Sequence, residues 1–308
     1  MYETLSIVLP VFGLIGIGYA GALLGLANDR MTDGLTDFLF VFCLPVMLFK
    51  LISTSTLPDT VPLGYWLSYY IGIAVIWIAA SLVAIYAFKS SHGDVVITGL
   101  AAGQANIVAI GIQIILRAYG EAAAFPIALL IAVNLPLTMT IASILLERGR
   151  QDGRSLRRLL RNLATHPLLI GIFCGLVAKF AGYKPTGAIG SIVDSLAAIA
   201  LPGALVSLGM AMRRYGLREG AGPGLVVTAL RLIVHPAITY VLAFHVFALP
   251  PVWAGTAVLF ASTPAGINVY LFAARYGHGQ GIAAAAVAIS TVLMIPTSIF
   301  WLKWLGIG

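Results

Sequence analysis

The segment Gly99-Leu100-Ala101-Ala102-Gly103-Gln104-Ala105-Asn106-Ile107-Val108-Ala109-Ile110-Gly111 is apolar at both ends and polar in the middle. Two side-chain amides, Gln104 and Asn106, stand there among residues too small to shield them. A second segment, Ala261-Ser262-Thr263-Pro264-Ala265-Gly266-Ile267-Asn268-Val269, has the same make-up and adds a proline. Pro264 removes a backbone donor and disturbs any helix that runs through it. Gly103 weakens a helix at the corresponding place. Both segments are therefore expected to be interrupted helices, with Gly103 and Pro264 at the breaks.

What surrounds them is apolar. Of 308 residues, 60% are hydrophobic and only 9% charged, where a soluble domain has about 25% charged residues. The mean hydropathy is +1.00. An ordinary water-soluble enzyme and a disordered chain are thereby excluded. A bilayer-spanning helix needs about 20 apolar residues. The sequence divides into ten such runs, at 4–25, 35–54, 63–88, 94–117, 122–146, 165–182, 189–212, 224–248, 252–275 and 281–304. Turn residues mark the gaps: Asn28-Asp29, Leu57-Pro58-Asp59, Ser90 to Gly93, Gly120-Glu121 and Pro250-Pro251. The runs are too long for barrel strands and do not alternate with period two. The fold class expected is an all-α polytopic membrane protein. Near the N-terminus stands Glu3 rather than a basic patch, so the first run reads as a spanning helix and not a signal peptide.

Charge sets the orientation. Ten spans put both termini on one side, together with Lys50, Arg117, Lys179, Lys184 and Lys303. Most other basic residues, including the Arg148 to Arg161 cluster, fall on the opposite side. The positive-inside rule makes that side cytoplasmic and both termini external, as expected of a multi-pass protein of the cell's inner (plasma) membrane. The net charge of +7 is thus a topology signal; no basic surface with interleaved aromatics suggests nucleic acid. Cys43 and Cys174 form no CxxC and no His-rich cluster, so both read as small buried hydrophobes, with neither a metal nor a disulfide implied.

The two halves match without gaps at an offset of 157 residues: Pro10 with Pro167, Gly18 with Gly175, Gly25 with Gly182, Asp37 with Asp194, Leu44-Pro45 with Leu201-Pro202, and Tyr119-Gly120 with Tyr276-Gly277. Each half, 1–150 and 165–308, holds five spans, joined by an arginine-rich linker at 151–164. Five is odd, so the second half begins on the opposite side and the repeats are inverted. Inverted repeats with interrupted helices at the midplane characterise secondary transporters.

Polar groups at bilayer depth are costly unless they are paired or line a water-filled cavity. The candidate substrate-binding residues are Gln104, Asn106, Thr263, Ala265, Gly266 and Asn268, with Asn134 of the fifth span as a further lining residue. The free N–H groups at the start of each second half-helix favour an anion. Close packing of small residues with amides as interhelical glue explains one such segment equally well; symmetric placement of two favours a site. Arg231 and His235, four apart on one face of the eighth span, are candidate electrostatic groups. Arg231 lies about two turns from the cytoplasmic end, so a snorkelling side chain is the simpler expectation. Asp37 and Asp194 are expected near span ends. No carboxylate sits at the centre of a span, which argues against a deep Asp/Glu proton relay. No paired nucleophile and base, and no GxxxD or HExxH signature, points to an intramembrane enzyme. A sensor would carry an attached soluble domain, and none is read here.

The chain resembles the auxin efflux carrier family, which includes plant auxin carriers and malonate permeases. The likeness rests on Leu9-Pro10-Val11-Phe12 with Gly18-Tyr19, Leu44-Pro45 with Leu48-Phe49, Asn106 to Gly111 followed by Arg117-Ala118-Tyr119-Gly120, His166-Pro167, Leu201-Pro202 with Ser207-Leu208-Gly209, Arg231 with His235-Pro236, Thr263-Pro264-Ala265-Gly266, and Ala273-Ala274-Arg275-Tyr276-Gly277. It implies ten helices in two inverted five-helix repeats, as in bile-acid symporters and sodium/proton antiporters, with spans 4 and 9 crossing. It implies a scaffold of spans 1, 2, 6 and 7, a moving unit of spans 3–5 and 8–10, an elevator-type mechanism, a homodimer in membrane lipid and a small organic acid as substrate, held by Asn106 and the Thr263–Asn268 stretch. No cofactor is implied, and sodium or proton coupling stays open; a sodium-coupled symporter of the bile-acid type is the alternative. The chain departs from the plant carriers in its short central loop, in lacking a second proline after Pro264, and in lacking a charged pair in span 3.

Overall fold

The computed structural model describes residues 2–55, 60–146, 161, 164–213 and 220–307. The Leu57-Pro58-Asp59 turn and nearly all of the arginine-rich linker lie outside the described residues. Every regular element among the described residues is a helix, apart from one isolated bridge between extended residues. Seven of the described helices are long and apolar enough to cross a membrane.

In chain order the helices are α1 (Tyr2–Leu23), α2 (Asp29–Thr54), α3 (Leu63–Tyr86) and α4 (His92–Gly103). Then come α5 (Ile107–Gly111 continued by Ile112–Tyr119), α6 (Ala124–Leu146), α7 (Pro167–Phe180) and α8 (Gly187–Met212). Last are α9 (Ala221–Val246), α10 (Pro251–Ala261), α11 (Ile267–Tyr276) and α12 (Gln280–Trp304). The expected fourth and ninth runs are each two helices, broken at Gln104–Asn106 and Ser262–Gly266.

Local chemistry sets the ends. Asn28 caps α2 by accepting from the Met31 N–H at 2.8 Å. Ser91 caps α4 by accepting from the Asp94 N–H. Gly25 after α1 and its repeat-matched Gly182 after α7 both take positive φ, at 73° and 65°. A side chain is strained in that conformation, which is why glycine ends both helices.

Two helix pairs make the most extensive contacts, α1 with α8 and α2 with α7. Glycine lets their backbones touch. A Cβ on Gly18 would lie 2.1 Å from the Val206 carbonyl oxygen, and one on Gly209 2.0 Å from that of Ile15. A Cβ on Gly175 would lie 3.0 Å from the Phe49 carbonyl oxygen. The offset that relates Gly18 to Gly175 also relates Phe49 to Val206, so the two contacts are counterparts with the halves exchanged. The Thr36 and Ser207 hydroxyls, 2.6 Å apart, join α2 to α8. Asp194 forms an exposed ion pair with Lys50 at 2.8 Å, a contact of about 0–1 kcal/mol at a surface. Cys43 is buried, whereas Cys174 is exposed. The expectation of two buried thiols thus fails for Cys174, because α7 turns that face outward and an apolar environment takes a thiol as readily as a core does.

The glycine contacts are sensitive to one added methyl group. Gly18→Ala is expected to lower stability by about 1–3 kcal/mol through overpacking. Gly16→Ala, which meets nothing within 4 Å, should leave the thermal midpoint of detergent-purified protein unchanged or slightly higher.

Candidate functional site

The breaks in the two interrupted helices face each other. The Asn106 N–H donates to the Pro264 carbonyl at 2.8 Å, and the Gly266 N–H donates to the Gln104 carbonyl at 2.9 Å. These bonds form a single antiparallel bridge around Ala105 and Ala265. They satisfy backbone groups that the breaks strip of helical partners. The approach is close: a Cβ on Gly266 would lie 3.0 Å from the Ala105 carbonyl oxygen. The Ala265 N–H is taken by Ser290 Oγ of α12 at 3.0 Å, and the Ser290 hydroxyl donates back to the Ala286 carbonyl.

Each break also leaves carbonyls at the C-terminal end of the first half-helix, where the helix dipole is negative. Arg231 answers both. Its side chain is fully buried. Nε donates to the Thr263 carbonyl at 2.7 Å and Nη1 to the Ala102 carbonyl at 2.5 Å. The snorkelling expected for Arg231 is therefore wrong. Distance along α9 put it near the end of its span, but two carbonyl acceptors and a planar fork of donors hold it inside. The α9 backbone is π-helical over Leu230–Val234 at this point, and the Trp301 indole N–H donates to the Leu232 carbonyl at 2.8 Å. His235, also fully buried, turns to α3. Its Nε2 lies 3.2 Å from the Tyr69 carbonyl, and the two rings are 5.0 Å apart.

A cavity opens at the crossover. Its polar lining is Gln104, Asn106, Asn134 and Asn268 with the backbone of Gly266, and Phe40, Ile131, Leu168 and Phe260 form apolar walls. The first residues of α5 and α11, whose N–H groups have no helical acceptor, complete it: Ile107, Val108 and Ile267. The volume is about 30 Å³, room for water-sized occupants. A carboxylate-bearing solute enters only if the walls part. Asn106 Nδ2 and Asn134 Oδ1 are buried there without a hydrogen-bond partner. Such atoms cost about 1–3 kcal/mol each when left unpaired, so they are the free valences of the site.

The cavity thus brings together Gln104, Asn106, Asn134, Gly266 and Asn268. It does not include Thr263 or Ala265. The Thr263 hydroxyl donates to the Phe260 carbonyl at 2.8 Å, and its own carbonyl serves Arg231. Gly103 ends α4 beneath Trp77, where a Cβ would lie 2.6 Å from the indole, and Pro264 contributes its carbonyl to the bridge. Sequence reasoning missed Thr138, whose hydroxyl donates to Gln104 Oε1 and fixes that side chain. Its position four residues after Asn134, on the same helix face, was the available signal. It also missed Ser290, which nothing in its surrounding sequence marks.

Ser290→Ala leaves the Ala265 N–H buried and unpaired. It is expected to cost about 1–3 kcal/mol, read as a lower thermal midpoint. Thr297→Ala on the same helix, where the hydroxyl bonds only back to its own turn, should stay within about 0.5 kcal/mol.

A family model described as membrane transport protein matches residues 4–302. A Rhizobium meliloti (strain 1021) protein named "Putative malonate transporter" is 29% identical over 302 residues, covering 96% of this chain and 94% of its own. An uncharacterized transporter of Methanothermobacter thermautotrophicus is 26% identical over 168 residues, 53% of this chain and 54% of its own. Auxin efflux carrier component 1 of Arabidopsis thaliana is 27% identical over 153 residues, 49% of this chain but 24% of its own. With the family matched over nearly its whole length, the chain is a membrane transporter of the auxin efflux carrier family.

Proposed function

We propose that this carrier moves a small organic anion, a mono- or dicarboxylate such as malonate, and that the anion binds at the crossover. The observation that carries this is the unpartnered Asn106 Nδ2 at the start of α5, in a cavity where two half-helix N-termini converge. Both features favour negative charge. The substrate class is supported by the printed name of the Rhizobium relative.

In this reading, ten membrane spans form two inverted repeats, 1–150 and 165–308, with both termini outside and the arginine-rich linker cytoplasmic. The exchanged glycine contacts of α1 with α8 and α2 with α7 support the repeat. They also support a scaffold of those four helices. Phe40 of α2 and Leu168 of α7 form the scaffold side of the cavity, and Gln104, Asn106, Asn134 and Asn268 belong to the other helices. A site at the boundary of two bodies is carried across the membrane when one slides past the other, which is elevator-type alternating access. A homodimer built on the scaffold would anchor that motion in the bilayer.

The test is a thermal-shift screen of purified protein against malonate, malate, pyruvate and indole-acetate. A ligand at 100 times its Kd adds about 2.7 kcal/mol of apparent stability. At least one acid is expected to raise the midpoint. Asn106→Ala should weaken that acid's binding by tenfold or more, since a hydrogen bond to a charged group contributes about 1.5–3 kcal/mol, and should leave the unliganded midpoint within about a degree or two of the native value. Undiminished binding by folded Asn106→Ala would count against the crossover as the site.

A further inference from the structure

We infer that Arg231 is the resident cation of the crossover: its guanidinium holds the carbonyl ends of both broken helices in place of a bound alkali-metal ion, so the transport cycle needs no such ion. Interrupted membrane helices present two kinds of end. The N-terminal ends attract anions, and the C-terminal ends, with their exposed carbonyls, are what coupling cations coordinate. In this chain the N-terminal ends line the cavity. The Ala102 and Thr263 carbonyls at the C-terminal ends are already bonded, at 2.5 and 2.7 Å, to one fully buried guanidinium.

Charge sharpens the point. A mobile cation beside a fixed one needs a carboxylate to offset the repulsion, because a dry interior screens little. Among the described residues no Asp or Glu is buried. The groups that interact with Arg231 from α3 and its own helix are Tyr69 and His235, neither of them a carboxylate. The guanidinium also stays protonated under all working conditions. A negative substrate entering the crossover therefore meets a permanent positive charge built into the wall behind it, which neutralises a monocarboxylate and offsets one of the two charges of a dicarboxylate such as malonate with nothing else carried. This rests on the crossover being the substrate site, but the stability measurements below do not.

The experiment compares wild type with Arg231→Ala, Arg231→Lys and Arg231→Gln in sodium, potassium or N-methylglucamine chloride at equal ionic strength. Wild type should have the same thermal midpoint in all three, and the same malonate-induced shift. A rise in either quantity with sodium or potassium over N-methylglucamine overturns the inference. Arg231→Ala should melt several degrees lower and be restored in part by millimolar guanidinium or sodium relative to N-methylglucamine. Guanidinium should give wild type no such gain. A folded Arg231→Ala that no cation restores also overturns it. Should Arg231→Ala fail to fold, the other two variants decide: Lys, which keeps the charge, must be more stable than Gln, which keeps hydrogen-bonding capacity without it. The reverse order contradicts a cationic role. If neither malonate nor any of the other acids shifts the midpoint, the substrate reading fails while the cation comparisons keep their meaning.

Discussion

Two broken helices cannot cross in a low-dielectric interior unless something takes up the backbone groups the breaks expose. Four of those groups pair with each other, through the bridge around Ala105 and Ala265. The carbonyls of Ala102 and Thr263 cannot pair with each other, since both are acceptors, and Arg231 supplies the donors from a third helix. Removing those donors would leave two buried carbonyls unsatisfied, and a buried guanidinium without them would be worse. The arrangement is mutual: the crossover needs the cation, and the cation needs the crossover. It also sorts charge, with negative helix ends bound to Arg231 and positive ends left facing the cavity.

The second constraint is proximity. Glycine at positions 18, 175 and 209 brings backbones into contact across α1–α8 and α2–α7, which makes that group a close-packed wall. The cavity lies where this wall meets the crossover. Its small volume admits water-sized occupants, and Asn106 Nδ2 and Asn134 Oδ1 are unpaired there. Unpaired polar atoms oppose stability; Tyr69, Tyr70, His166, Arg231, His235, Thr239 and Thr256 each bury one elsewhere, but the two that line the cavity are most simply understood as reserved binding capacity.

Much of this was legible in the sequence because the signals were polar residues in an apolar background. Gln104, Asn106 and Asn268 stood out for that reason, and three of the polar cavity residues follow from them. The breaks at Gly103 and Pro264 follow from backbone chemistry alone. The helix runs matched the described helices to within a few residues, apart from the two interruptions and an earlier start for the second. Other features were not legible. Phe40, Ile131, Leu168 and Phe260 are apolar residues among many, and only folding selects them as walls. Arg231 was misplaced because depth along a helix does not reveal which way a side chain turns. A long side chain near a helix end snorkels when nothing inside can bond it, and the carbonyls that bond Arg231 come from residues more than thirty and a hundred positions away. Thr263 was assigned to the ligand because its residue type suits one, whereas the structure uses its carbonyl for Arg231.

The central claim is that an organic anion passes through the crossover. Counterflow measures this directly: purified protein in liposomes loaded with unlabelled malonate, diluted into labelled malonate with no ion gradient. The account predicts transient accumulation of label by the native protein and its loss with Asn106→Ala. Accumulation of equal rate and extent by the Asn106→Ala carrier, or none by native protein with malonate or any of the related acids, would contradict it.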